Sequence, residues 1–270
     1  MSLDIDSVYR YTTLIVGIGL AIKALETLYL LSEYEKRGML DYAITGNELF
    51  LTGRLSTLLG QLYSKPGVSV LSCLSLVSVL ALFVVDYGSL AYRVAVLVLI
   101  AANVALYYRQ AFGLDGADQM SLLILLTILL CSFGPDDVSI KQIGILFIAL
   151  QLALSYLVSG CAKLISHEWR SGLAIAGILS TYTYGSNFTR KLVTRNKVVC
   201  VVGCWGVILT EIAIPFGLLL NDTGVIVALG VGLSMHLAIA VIMGLNDFVW
   251  SFAAAYPSFY YVGVVLIANN

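Results

Sequence analysis

The sequence predicts an all-α polytopic membrane bundle of eight or nine transmembrane helices, and three observations carry that prediction. Apolar residues make up 60% of the 270-residue chain and charged residues only 11%, with a mean hydropathy of +0.94. A soluble domain has roughly 45–50% apolar and 25% charged residues. The apolar residues fall in runs, and a helix crossing a hydrocarbon core about 30 Å thick needs about 20 of them. Twenty-four glycines against four prolines suit closely packed membrane helices, whereas the period-2 alternation of a membrane barrel, in segments of about ten residues, is absent.

Eight runs qualify in chain order: approximately Thr12 to Leu31, Val68 to Val85, Ser89 to Tyr107, Met120 to Phe133, Ile143 to Ile165, Val198 to Leu220, Gly224 to Met243 and Phe248 to Ala268. The fourth is short for a full crossing. A further apolar piece, SGLAIAGILSTY from Ser171 to Tyr182, is also too short to span. A re-entrant or interfacial helix is expected at 171–182, since irregular backbone is tolerated at membrane depth where protein covers it. The connection at 32–67 carries SEYEKRGMLD and then ELFLTGRLSTLLGQLY, an amphipathic stretch expected on the membrane surface. With no region long enough to fold as a soluble domain and no evident repeat, residues 1–270 read as one integral-membrane domain. The opening MSLDIDSVYR holds two aspartates and one arginine instead of a basic leader region, so the first run is expected to be retained.

In an eight-span arrangement ten Lys and Arg residues fall in connections on one side and three on the other. The richer side, which holds 32–67 and the stretch from Arg170 to Lys197, is expected to be cytoplasmic, with both termini opposite. The expected location is the cytoplasmic membrane of a bacterium or archaeon, and the lipid bilayer is the first partner. A net charge of −1 with no dense basic block sets nucleic acid aside as another. Five cysteines form no CxxC pair, and His167 and His236 lie far apart without an HExxH frame, so neither a disulfide framework nor a metal site is expected. Gly-rich phosphate loops and a GxSxG elbow are missing, which argues against a nucleotide-driven pump or a familiar hydrolase.

Ionisable groups within spans cost about 2.5 to 3.5 kcal/mol each at a helix centre on insertion scales, so each calls for a partner, a wet cavity or a function. Lys23 and Glu26, three apart on the first helix, read as a neutralised pair. In YLVSGCAKLISHEW, Tyr156, Gly160 and Lys163 share one helical face with no acid at neighbouring helical positions. Two readings are open for Lys163: a snorkelling ammonium that reaches the headgroups, or a desolvated amine able to act as a general base. Glu211 lies within a span, and Pro215 four residues on lacks the N–H that would bond its carbonyl, so a kink is expected there. His236 lines up with Gly232 and Ala240, a small-residue stripe suited to close packing. Convergence of Lys163, Glu211 and His236 on a common interior cavity is the functional expectation, because polar groups facing hydrocarbon singly would together cost several kcal/mol. The last span is crowded with rings, among them Trp250 and Tyr256, which suit either aromatic packing or a ring-shaped apolar ligand.

The stretch YLVSGCAKLISHEWRSGLAIAGILSTYTYG resembles the signature of the horizontally transferred transmembrane (HTTM) family, whose domain is shared with vitamin K-dependent gamma-carboxylases. The shared frame is carried by Tyr156, Gly160, Lys163, Leu164, Glu168, Trp169 and Gly172, and GADQM, TEIAIP and MHLAIAVIMGLNDF agree in order and spacing. In length the chain is similar to short bacterial members of the sporulation-delaying-protein B type, which act with a partner to mature a secreted peptide. The resemblance implies a lysine base at Lys163, with Glu211 and His236 in support. Ala162 stands where the carboxylases have the first of two adjacent lysines, and Asp118 and its neighbours stand where they have a histidine. A quinol-type lipid is the implied cofactor, against Tyr156, Trp169, Trp250 and Tyr256. Two functions follow as expectations: an enzyme acting on a quinol, lipid or peptide, or a noncatalytic partner for maturation or export of a small secreted peptide.

Overall fold

The computed structural model describes residues 4–35, 38, 40–42, 60–109 and 115–267. Among these residues every regular element is helical. Seven helices among the described residues are long and apolar enough to cross a membrane: Ile5–Tyr29, Lys65–Val84, Leu90–Arg109, Val138–Ile165, Lys197–Leu219, Asp222–Met243 and Asp247–Ile267. Gly116–Cys131, the short fourth run, forms a helix of 16 residues, about 24 Å at 1.5 Å per residue. The amphipathic stretch expected within 32–67 lies for the most part outside the described residues.

The chain divides into two compact units, Tyr9–Ile140, and Met1–Val8 with Lys141–Asn270. The first holds most of α1 (Ile5–Tyr29), a 3-10 turn at Leu31–Tyr34, α2 (Lys65–Val84), α3 (Leu90–Arg109) and α4 (Gly116–Cys131). Helix α1 starts seven residues before the apolar run does: Asp4 accepts from the Ser7 N–H at 2.6 Å, as a helix cap does, and Val8 and Tyr9 are buried. Within the run, the Thr13 hydroxyl lies 2.7 Å from that of Tyr92. Ser64 caps α2 by accepting from the Gly67 N–H, with Pro66 in the first turn where its missing N–H is no loss. Helices α2 and α3 pack together through Val68, Leu71, Ala102 and Leu106, with Tyr34 from the 3-10 turn. Asp115 caps α4 through the N–H groups of Ala117 and Asp118.

The charged side chains Lys23 and Arg109 inside this unit are matched by partners from other segments. The Lys23 ammonium is bonded to the Asp118 carboxylate and lies 4.9 Å from the centre of the Tyr107 ring. Sequence spacing pairs Lys23 with Glu26; the structure adds Asp118, on a helix 95 residues away, as a partner of Lys23. Arg109, at the end of α3, is 2% exposed and donates to the backbone carbonyls of Tyr63 and Leu40.

The second unit is built from α5 (Val138–Ile165), three short helices α6 (His167–Arg170), α7 (Leu173–Ser180) and α8 (Asn187–Arg195), then α9 (Lys197–Ala213), α10 (Asp222–Met243), α11 (Asp247–Ala253) and α12 (Tyr256–Tyr261). Helix α5 begins before its apolar run because Lys141 is neutralised by Asp6 at 2.7 Å. The two later prolines act as their chemistry dictates. Pro215 turns the end of α9 into a 3-10 segment, Ile214–Leu219, since the proline nitrogen cannot donate to the Glu211 carbonyl. Pro257 falls where the last span breaks between α11 and α12, and a π-helical turn at Val262–Ile267 completes that span.

Helix α7 is the short piece expected at 171–182, and it packs on α9. Gly172 enters it with φ +85°, a left-handed conformation, and a side chain there would meet the Val201 nitrogen at 2.8 Å. The Trp205 indole donates to the Arg170 carbonyl at 3.2 Å. The segment from α6 to α7 therefore runs alongside α9 and not beyond its end. Helix α8 has no counterpart in the expected elements. Its NFTRKLVTR sequence lacks an apolar run, and its start is set by Ser186, whose hydroxyl accepts from the Thr189 N–H at 3.1 Å.

Candidate functional site

Two polar clusters form along one face of α5, about 10 Å apart by helix rise between Tyr156 and Lys163. In the first, the Lys163 ammonium donates to both oxygens of Glu211, at 2.9 Å and 2.7 Å, and to the Ser159 hydroxyl one turn back. Ser159 also donates to Glu211 at 3.3 Å. The Trp169 ring stands with its centre 5.1 Å from the amine, near enough for a cation–π contact. Lys163 thus meets an acid after all, supplied by α9 and not by its own helix.

Gly160 makes this meeting possible. A Cβ there would lie 2.8 Å from Ile212 Cγ1, 3.0 Å from the Ile212 nitrogen and 3.1 Å from Glu211 Cβ, so α5 and α9 approach closely enough for lysine and glutamate to bond. Gly160→Ala is expected to lower stability by about 1–3 kcal/mol through overpacking. Gly177→Ala, in α7 with nothing within 4 Å of the added carbon, should instead gain about 0.5–1 kcal/mol of helix propensity. Thermal unfolding of the two proteins in detergent checks the contrast; equal midpoints would remove the close contact.

The second cluster centres on Tyr156, which is 2% exposed. Its hydroxyl lies 2.8 Å from His236 Nε2 and 3.1 Å from the Tyr256 hydroxyl. Gly232 leaves room for both phenols: a side chain there would meet the Tyr256 oxygen at 2.8 Å and the Tyr156 oxygen at 3.1 Å. The His236 ring packs on Phe252 at 4.4 Å and on Phe248 at 6.1 Å, and its Nδ1 is buried with no hydrogen-bond partner. The sequence expectation put Lys163, Glu211 and His236 on a common interior cavity; Lys163 and Glu211 bond each other, and the hydrogen bond of His236 is to Tyr156, further back along α5. Trp250 is half-buried and lies outside the stack, since it is two positions from both Phe248 and Phe252 and points to another side of α11.

Outside the spans, the Ser166 hydroxyl holds the Glu168 carboxyl below the usual carboxylate range, at a distance of 2.7 Å. Glu168 is therefore a fixed surface anion, unlike the enclosed Glu211. Ser159 is the site residue that sequence reasoning passed over, although its place one turn before Lys163 is a signal of hydrogen-bond reach. Among the described residues no three His, Cys, Asp or Glu side chains converge as metal ligands would.

The chain is an all-α multi-pass membrane protein with a lysine–glutamate pair enclosed between two of its spans. No family model, curated protein or solved structure matches it.

Proposed function

We propose that the chain is a membrane-embedded enzyme of the carboxylase-like HTTM superfamily, taking a proton from a quinol, lipid or peptide with Lys163 as the base. The single observation behind this reading is the Lys163 amine, enclosed by the Glu211 carboxylate, the Ser159 hydroxyl and the Trp169 ring. In a low-dielectric setting a charged pair and a neutral pair lie closer in energy than in water, because separated charge loses its hydration. Transfer of one ammonium proton to Glu211 leaves a neutral amine beside a carboxylic acid. The amine then accepts a proton from a substrate O–H or C–H, the substrate anion faces the renewed ammonium, and Glu211 keeps the proton it took. Ser159 holds both partners in register throughout. The aromatic cluster, with its orphaned His236 nitrogen between phenyl rings, suits a ring-shaped substrate carrying one hydrogen-bonding oxygen. A quinol would supply the acidic hydroxyl whose proton is removed.

Membranes or detergent-solubilised protein carrying Lys163→Ala test this directly. Loss of quinol oxidation or peptide maturation per inserted molecule is expected, beyond any fall in membrane yield from the unpaired Glu211. Unchanged turnover would sink the reading.

One observation favours a second reading. The pair is saturated by its own partners, and Gly160 draws the two helices together at that point, as a purely structural tie would require. The chain would then be a noncatalytic partner in maturation or export of a secreted peptide. A gene for a small secreted peptide beside this one would favour that reading, and a quinone-linked redox gene the enzyme.

A further inference from the structure

We propose that the outward face of α8 is a binding surface for anionic phospholipid headgroups, independent of the Lys163–Glu211 pair. Three observations lead there. The first is charge. From Trp169 through Thr210 there is no Asp or Glu, while Arg170, Arg190, Lys191, Arg195 and Lys197 all fall in that stretch.

The second is the way α8 distributes its side chains. Val193 is buried, and its carbonyl lies 3.6 Å from Cys200 Sγ, so one side of the helix is committed to the protein. On the opposite side, helical spacing puts Phe188, Lys191, Leu192 and Arg195 together. All four are exposed, with Phe188 at 74%. An exposed phenylalanine and leucine flanked by a lysine and an arginine form the pattern of an interfacial helix, whose apolar groups enter the headgroup boundary while its cations meet phosphates. Arg190 is drawn away from this face, its guanidinium 4.1 Å from the centre of the Tyr182 ring and bonded to the Asn187 side chain at 2.6 Å.

The third is position. Helix α8 ends at Arg195 and α9 begins at Lys197, and exposed apolar residues of α9 start at Val198, 69% exposed, and continue at Val202, 64%. The lipid-facing stripe of a spanning helix thus begins within one turn of Arg195. That places the cations of α8 level with the phosphates of the adjoining leaflet, and it favours a lipid over a soluble acidic peptide, which would have no use for Phe188 and Leu192.

Native mass spectrometry of the full-length protein, delipidated in detergent and titrated with phosphatidylglycerol or phosphatidylcholine of matched acyl chains, tests the proposal. Wild type should retain phosphatidylglycerol preferentially, and added salt should weaken the preference. K191Q/R195Q should lose about 25-fold of it, at about fivefold per basic residue near an anionic surface. K65Q, whose lysine pairs with Glu35 elsewhere, should keep it. F188S, with every charge intact, should also retain less phosphatidylglycerol. Equal retention of the two lipids by wild type, or an unchanged preference in K191Q/R195Q, would overturn the proposal. So would full competition by inorganic phosphate or by a polyglutamate peptide, which would make the face a phosphate or acidic-peptide site, and so would a F188S protein that binds like wild type.

Discussion

Lys163→Arg is expected to yield a folded, inserted protein whose turnover is at least about 100-fold below wild type, the contribution typical of a positioned acid–base group. Arginine preserves everything about this residue except the ability to give up its charge. Its guanidinium matches a carboxylate in a two-pronged bond, as the amine already touches both Glu211 oxygens, and it stacks on an aromatic face as well as lysine does, so Trp169 keeps a partner. The guanidinium stays protonated at any accessible pH and accepts nothing. A helix tie or a snorkelling cation would therefore survive the exchange. Full peptide maturation or quinol oxidation by Lys163→Arg, at normal membrane yield, would end the enzymatic reading and leave the noncatalytic one.

Glu211→Leu is expected to destabilise strongly, whereas Lys163→Met/Glu211→Leu should recover most of the loss. Removing one partner of a buried ion pair leaves a charge without compensation, at a cost of about 3–5 kcal/mol, while replacing both with apolar groups is often neutral. The two side chains are 18% and 10% exposed, so some solvent screening remains and the lower end of that range applies. Thermal unfolding in detergent, with membrane yield alongside, gives both values. A single variant as stable as wild type would mean that the amine does not depend on the carboxylate.

The contrast between what the sequence revealed and what it hid has a physical basis. Lipid offers no hydrogen bonds to the backbone, so spans must be helical and apolar, and all eight runs emerge as helices because that constraint acts residue by residue. Two starts lie earlier than the apolar runs, where polar residues are satisfied: α1 by the Asp4 cap on Ser7, and α5 by Asp6, which neutralises Lys141. Helix α8 escaped notice because Phe188, Leu192 and Val193 make no run, only a pattern around a helix that one buried side chain anchors. The lysine and glutamate were visible as ionisable groups in spans, but their bond depends on which helices meet, and periodicity carries no such information. Gly160 was the one local hint, a small residue a turn before the lysine. The same limit explains Lys23, whose near neighbour Glu26 could be read from spacing while Asp118 could not. Tyr156 and Tyr256 stood out as rings on apolar helices, but that a histidine joins them, and that Trp250 does not, follows from packing alone.

The distance in sequence between Lys23 and its partner also sets a timetable for synthesis. The 95 residues from Lys23 to Asp118 take about 5 to 20 s to translate at 5–20 residues per second. During that interval α1 must be held at the membrane with its cation unmatched by α4. The only acid at helical spacing from Lys23 on its own helix is Glu26, the one carboxylate of α1 within reach of the ammonium before α4 is made. A nascent chain stalled after α3 should accordingly lean on Glu26 for stable insertion of α1 more heavily than the completed protein, in which Asp118 also meets the ammonium.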